Sequence, residues 1–577
     1  MRYETFDAIV VGTGAAGYQA ACRLKQLGHQ VAIVTEGIQC GTSRNTGSDK
    51  QTYYKLGLGG DSPDSIRQMA ADLFAGGSMD GDTALCEASL STRCFLNLCE
   101  LGVPFPFNRF GEYVGYKTDH DPYARATSAG PLTSHYMALA LQAQAENLEI
   151  PVFDGCTVIK LLTLHGRVCG ILCLCGGKRI AFRCADLILA TGGPAGIYGD
   201  TVYPIGHTGS SGLALLAGAK AQSLELWQYG LASTAPRWNV SGTYMQVLPR
   251  FVSIDPNGTE HEFLLEAFSS PAEALSMVFL KGYQWPFDPG KAHNGSSRID
   301  LLVHREITKY RRRVCLDFTR NPTGLDFSQL SAEAYSYLEK ADALFGTPFQ
   351  RLAKMNAPAI ELYRSKGVDI RKEYLPIALC AQHNNGGIAV NLWWQTSVPG
   401  LFAAGECAGT HGIRRPGGSA LNSGQVGALR AAQYIHAHPG KLADPGEFEA
   451  LLSTASAASQ LGSPDDPHIL AAQRQMSDCA GAVRDPAAIH TLLIQRQKEI
   501  TSPDFPTLPW RLQDTLATQA AVLVAMDAPA ADPSQIREVV LTPEGFQTAL
   551  RPVRPIPAGE DFFENIWRSY REHGNIY

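Results

Sequence analysis

At 577 residues the chain is too long for one compact core and calls for roughly two to four domains, with interior enough to bury a large cofactor. A net charge of −6 without basic blocks argues against nucleic acid or an anionic membrane as the main partner, and no apolar run approaches the ~18 residues of a membrane span. Met1 to Asp7 leads into a strand rather than a signal peptide, so the expected location is cytoplasmic. The 14 cysteines contain no Cys-x-x-Cys pair, which leaves zinc ribbons, redox dithiols and iron–sulfur clusters without their usual ligand spacing and predicts no metal centre. Cys169, Cys173 and Cys175 fall on one face of an alternating strand and are expected to form a buried apolar face.

Asp7-Ala8-Ile9-Val10-Val11 is an apolar run without polar alternation, as a buried parallel strand requires, and it ends at Gly12-Thr13-Gly14-Ala15-Ala16-Gly17. A helix is predicted to follow as far as Gly28, then a second strand over Gln30 to Thr35, closed by Glu36. This is a βαβ unit with the dinucleotide fingerprint. Gly12 and Gly14 let backbone approach a pyrophosphate, Gly17 lets helix pack on strand, and the helix N-terminus at Ala15 and Ala16 stabilises the anion. Glu36, 19 residues beyond Gly17, is placed to accept hydrogen bonds from ribose hydroxyls. The glycine pattern alone is weak and does not separate one dinucleotide from another; its place between a buried strand and a helix gives it weight. The polar loop Gly41-Thr42-Ser43-Arg44-Asn45-Thr46-Gly47-Ser48-Asp49-Lys50 reads as a functional loop beside the phosphate site, with a solvated connection as the alternative.

Helices are predicted at Ser65 to Phe74 and Asp82 to Leu101, and another opens near Thr133. Short strands at Val152 to Phe153 and Thr157 to Leu162 lead to a hairpin at Leu164-His165-Gly166-Arg167, then to strands at Val168 to Cys175 and Lys178 to Phe182. Asp186-Leu187-Ile188-Leu189-Ala190-Thr191-Gly192-Gly193 is a second buried strand ending in a double-glycine turn suited to a dinucleotide. From Gln222 to Tyr374 the texture changes to aromatics, prolines and loops, including Trp227, Trp238, Trp285 and Pro286, and reads as an inserted domain over the cofactor. Nucleotide-domain character resumes at Leu379 and ends with a helix over Ser423 to His436. Pro439 to Met526 is predicted mostly helical, and the remainder Pro-rich and irregular.

Within this resumed part, Gln382-His383-Asn384-Asn385-Gly386-Gly387-Ile388, Gly400 to Glu406 and Arg414-Arg415-Pro416-Gly417-Gly418-Ser419-Ala420-Leu421 lie close together in sequence. A histidine, two arginines and several glycine turns in so short a span mark a place where a small anionic or polar substrate meets a bound cofactor.

Taken together, these residues resemble the flavoprotein family of succinate dehydrogenase, fumarate reductase and L-aspartate oxidase, through most of Asp7 to His436 and faintly after Pro439. The Gly12 to Gly17 turn matches the family's FAD pyrophosphate loop, and Ala190-Thr191-Gly192-Gly193 its second cofactor turn. Gly405-Glu406 resembles its Ala-Gly-Glu, whose acid contacts the ribityl chain. Arg415 to Leu421 resembles its Asn-Arg-Leu-Gly-Gly-Asn-Ser-Leu, whose arginine grips a substrate carboxylate and whose glycine-serine backbone, here Gly417 to Ser419, faces the flavin; Ser419 and Leu421 are expected cofactor residues. His383 falls at a substrate-contacting histidine, and Ser297-Arg298-Ile299-Asp300 resembles a Gly-Arg-Asp whose arginine shuttles protons. His383 as an ordinary hydrogen-bonding residue and Arg298 as an ion-pair partner of an acid remain the plain alternatives.

The resemblance implies an α/β fold: a Rossmann-like FAD-binding domain at 1–221 and 376–437, an inserted α+β capping domain at 222–375, and a mostly helical region at 438–577. It implies hydride exchange between FAD N5 and a small-molecule substrate, with Arg415, Arg414 and His383 holding an anionic oxygen and Arg298 supplying a proton. A tyrosine or His383 is the alternative acid. Two departures stand out. Gly230, in Trp227-Gln228-Tyr229-Gly230, stands where the family has another substrate-contacting histidine, which makes succinate, fumarate and aspartate doubtful and hints at a bulkier substrate. Arg44-Asn45-Thr46 stands where a histidine attaches FAD in part of the family, so FAD is expected to be noncovalent and to sit against Ser43 to Thr46. The chain has no cluster or haem motif of its own, so a separate electron donor or acceptor is expected, whether a protein, a quinone or a soluble carrier. The competing readings are a nicotinamide-dependent dehydrogenase and an FAD electron-transfer subunit.

Overall fold

The computed structural model describes residues 3–61, 63–455, 458, 460–559 and 562–574. At its centre a seven-stranded sheet runs Val152–Phe153, Val31–Val34, Tyr3–Val11, Lys178–Leu189, Arg167–Cys175, Cys156–Leu164, with Leu401–Ala403 added on Lys178–Leu189. The two strands expected at Lys178 to Phe182 and Asp186 to Leu189 are one. That strand changes partner along its length: Lys178 to Arg183 pairs antiparallel with Gly170 to Cys175, whereas Leu187 to Leu189 pairs in parallel with Leu401–Ala403. Tyr3–Val11 runs parallel to it on the other side, so Val11, Leu189 and Ala403 end at one level. Buried on both faces, these strand ends need continuous apolar sequence, which is what Ala8 to Val11 and Leu187 to Leu189 supply. Helices Ala15–Gln26 and Ser419–Ala437 pack against each other beside the sheet.

A second, antiparallel sheet orders Arg237–Asn239, Trp227–Thr234, Leu375–Asn384, Arg313–Asp317, Arg250–Ile254 and Glu260–His261. It has its own core, including Leu231, Phe251, Ile299, Val303, Leu316 and Tyr363. Trp227–Thr234 pairs with Leu375–Asn384, with Gln228 opposite His383. The chain thus leaves and re-enters the first body on neighbouring strands, and His383 arrives at the boundary by register.

In the C-terminal part three helices, Pro445–Thr454, Pro467–Ala480 and Pro486–Ile500, share one start signal. Asp444, Asp466 and Asp485 cap them and proline follows at the first helical position. The tail expected to be irregular instead holds a hairpin of Gln535–Thr542 with Gly545–Pro552. Its β-branched run Ile536, Val539, Val540 and the turn at Gly545 favour a strand pair. Through Ala221–Gln222 and Gly387–Ile388 it joins a four-stranded sheet. The cysteine expectation also needs one correction. Cys169 and Cys173 are buried, but Cys175 is bonded to Cys156 on the adjacent strand.

The helix Trp510–Asp527 ties the C-terminal part to the first body. Asp514 is buried, accepts from Gly212 N at 2.8 Å and from the Thr208 hydroxyl, and Gln519 donates to the Ile197 carbonyl at 3.1 Å. Asp514→Ala leaves those donors unpaired and is expected to lower unfolding free energy by roughly 2 kcal/mol or more, as read from denaturant melts.

Candidate functional site

Two cavities, of about 190 and 580 Å³, meet along Thr42, Ser43, Glu406, Ala420 and Leu421, which line both. The smaller is a cradle built from the strand ends. Gly12 sits at φ +110°, and a Cβ there would run into the Ala190 carbonyl; one on Gly17 would run into the Gly12 carbonyl. Helices Ala15–Gln26 and Ser419–Ala437 both begin here from glycine, Gly14 and Gly418, with no side-chain cap and no acid in the first turn. Open helix N-termini in one cleft form an anion site. Thr191 Oγ1, His207 Nε2 and Gln425 Oε1 line the cradle, buried and without partners among the described residues. Burial pushes His207 down to about 4, so it is neutral near pH 7. Close-approach glycines, two uncapped helix starts and orphaned polar atoms fit a dinucleotide, whose phosphates would accept from the free donors and whose hydroxyls would donate to Gln425 Oε1.

Gly12, Gly14, Ala15, Ala16, Glu36, Ser43, Ala190, Thr191, Gly192, Glu406 and Leu421 line the cradle. Gly17 packs behind it, and Ser419 opens its helix with its hydroxyl on the Pro416 carbonyl at 3.0 Å. Glu36 is engaged by Arg511 of the C-terminal helix. Thr46 lines the larger cavity. Arg44 and Asn45 line neither: Arg44 turns to Gln142, and Asn45 Nδ2 donates to the carbonyls of Gln39 at 2.8 Å and Gly41 at 3.1 Å. Their loop is a short helix, Thr42–Asn45, which presents only some of its side chains to the cleft.

In the larger chamber Arg415 is buried, with Nε and Nη2 on Gln228 Oε1 at 3.1 and 2.5 Å. Burial pulls its pKa down to about 10, leaving it a cation at neutral pH. His383 Nδ1 lies 3.1 Å from Asn385 Oδ1, while Asn385 Nδ2 donates to the Gly412 carbonyl at 2.8 Å. With the amide so oriented, Nδ1 carries the hydrogen and Nε2 the lone pair. Nε2 has no hydrogen-bond partner among the described residues and lies 3.8 Å from Glu406 Oε1. Burial, then Arg415, then His411 hold His383 well below its usual pKa, so it is neutral. Burial raises Glu406 to about 7, and the Tyr203 hydroxyl donates to it.

Sequence reasoning missed Gln228, Tyr203 and Glu87. Gln228 could have been found from its place beside the altered Gly230; Glu87, inside an ordinary amphipathic helix, carries no local signal. It is fully buried from Gly81–Glu100 without a carboxylate hydrogen bond among the described residues, and burial raises it to about 8 against weaker opposing pulls from Ser423, Thr410 and Arg415.

Three of the expected substrate-side residues are placed differently in this structure. Arg414 is exposed and lines neither cavity. Arg298 also stays outside: its guanidinium donates to the Ala267 carbonyl and lies 4.5 Å from the Phe268 ring centre, while Asp300 pairs with Lys281 at 2.6 Å. Gly230 opens no corner, because the Trp285 indole occupies the space a side chain there would take.

The sheet, the cradle and the adjoining chamber define a dinucleotide-binding flavoprotein. The FAD binding domain family matches residues 7–421, and the chain belongs to it. The chain is 26% identical over 434 residues to L-aspartate oxidase of Mesorhizobium japonicum, covering 74% of each protein. It is 25% identical over 431 residues to a fumarate reductase (CoM/CoB) of Methanothermobacter marburgensis, covering 74% of this chain and 71% of that one. In fold it matches E. coli quinol fumarate reductase FrdA with a TM-score of 0.71 at 17% identity, over 97% and 98% of the two chains. It is a flavin-dependent oxidoreductase of the fumarate reductase and aspartate oxidase family, with FAD as its cofactor. No helix among the described residues is long and apolar enough to cross a membrane.

Gly12→Val is expected to weaken FAD binding by about 100-fold or more, since strain and overlap fall on the strand end itself; flavin absorbance retained on desalting checks it. Glu87 gives a pH signature. Its native pKa lies above its unfolded one, so the stability it contributes is full below about pH 4.5 and is lost as pH rises through about 8. Glu87→Gln should therefore raise the melting temperature more at about pH 9 than at about pH 5.

Proposed function

We propose that the chain exchanges a hydride with a small anionic acid other than succinate or fumarate, bound in the larger chamber between Arg415 and His383. One observation carries the reading: Glu406, Ala420 and Leu421 wall both the cofactor cradle and a chamber that contains a buried arginine. FAD, when bound, supplies the two-electron step. Arg415 holds the acid's charged oxygen; Gln228 fixes the guanidinium's orientation while accepting from only part of its fork, leaving N–H groups for a ligand. His383, through its free Nε2 lone pair, accepts a proton from the substrate atom next to the reacting carbon in oxidation and returns it in reduction. Burial and then the Arg415 charge depress His383, so a bound anion that offsets Arg415 raises its basicity when substrate is present. Gly230 offers no second side-chain donor, which is why a dicarboxylate is disfavoured.

Electrons pass to or from a separate protein, quinone or soluble carrier; quinol is the partner named for the FrdA structure. Among the described residues no group of three or more His, Cys, Asp or Glu side chains could hold a metal.

Arg415→Lys is expected to lower kcat/KM for flavin reduction by about 100-fold, because a point charge replaces a planar fork, with FAD content unchanged. Retained turnover would remove Arg415 from the substrate site. Arg298→Ala is expected to stay within about tenfold of the parent in single-turnover flavin kinetics; a loss matching Arg415→Lys would mean that the inserted part swings Arg298 into the chamber.

A further inference from the structure

We propose that Trp285 sets the substrate class: its indole takes the corner that a side chain at residue 230 would fill, and leaves a site for an acid with one charged end and one uncharged, planar end. This rests on the functional reading above. Gly230 lies in Trp227–Thr234 opposite Cys380, two residues from Gln228, and its carbonyl accepts from Gln382 Nε2 at 2.9 Å. A Cβ built on it would overlap Trp285 Nε1 and lie 2.9 Å from both Cδ1 and Cε2. Side chain and indole are mutually exclusive there. The glycine's backbone is outside the left-handed region, so packing, not conformation, requires it. The tryptophan's seat is fixed, because Phe287 N donates to the Tyr229 carbonyl at 2.7 Å and pins the segment to the same strand.

The chamber's charges point the same way. Arg415 is the buried cation among its lining residues, whereas Lys50 and Lys117 lie exposed at its edge. Trp285 joins Tyr116, Tyr203, Tyr283 and Tyr337 in an aromatic lining that receives a flat uncharged group far better than a second carboxylate. The Trp285 N–H is buried without a partner among the described residues, so the corner presents ring surface with one free donor, which an uncharged acceptor can take without a second charge being buried.

The test titrates FAD-loaded protein with cinnamate, a planar monoacid, and fumarate, a diacid, and reads the perturbation of the flavin spectrum. The parent is expected to bind cinnamate more tightly. Trp285→Ala and Trp285→Leu should shift the ratio of dissociation constants toward fumarate by about tenfold, and Trp285→Phe, which keeps a flat ring, should hold it within about threefold. Gly230→Ala alone should weaken cinnamate by displacing the indole, yet add nothing in a Trp285→Ala background. An unchanged ratio in both truncations with FAD still bound, or additive effects of the two positions, overturns the proposal. If neither acid perturbs the parent's flavin, the reading of an acid site itself fails and this inference falls with it; acids that bind without a shift in ratio defeat the inference alone.

Discussion

Everything in the site depends on how closely two strand ends approach. Tyr3–Val11 and Lys178–Leu189 run parallel in register, and the turns that follow bring Gly12 against the Ala190 carbonyl with no space for a methyl group. Leu401–Ala403, on the other flank, ends at the same level and delivers Ala404, Gly405 and Glu406. Parallel pairing places all three turns at one end of the sheet, where helices start and amides point outward. One geometric rule, common strand polarity, thus assembles cofactor residues nearly four hundred positions apart in sequence. The closeness demands glycine, and the glycines explain why the cradle is so readable in the chain.

The larger chamber follows a different logic. Its polar side chains are buried in a group, and burial limits the ionisation of each. Arg415 stays charged because its pKa starts so high that burial leaves it near 10. His383 cannot share that condition: desolvation and the neighbouring cation leave it neutral. Glu406, at about 7, balances between forms. The chamber therefore sets a buried cation beside a neutral proton acceptor, a combination that favours an anion at that spot and makes proton acceptance stronger after the anion arrives.

Legibility divides along these lines. The βαβ unit, the second turn at Ala190 to Gly192 and the Glu406 and Arg415 segments are readable because each depends on local backbone rules or a short run of residues. Sequence alone does not show where the Arg298 and Arg414 side chains turn, because spacing places a Cα, whereas a long side chain goes where its partners are: here Arg298 finds a carbonyl and a phenyl ring, and Arg414 finds solvent. The loop holding Arg44 and Asn45 coils into a helical turn, and its side chains diverge. Gly230 reads as an empty corner because sequence shows the missing atoms and not those that replace them. Trp285 lies 55 positions away, and only the fold brings it back.

The C-terminal part, where family resemblance is faintest in sequence, is physically joined to the cofactor cradle. Arg511 engages Glu36 and donates to the Gly206 carbonyl at 2.7 Å, while Asp514 holds Thr208 and Gly212 in the segment that lines the cradle's far wall. Burial raises Asp514 to about 6, so this clasp titrates in a range where the bulk of surface carboxylates do not. An acid whose native pKa is raised stabilises most at low pH and loses that contribution as pH rises through its native value. The cradle's far wall is thus fastened by a helix whose hold varies with proton concentration. Because a ligand that binds only the folded form stabilises it, FAD and the C-terminal helix reinforce each other across the same wall, and neither region can be loosened without weakening the other.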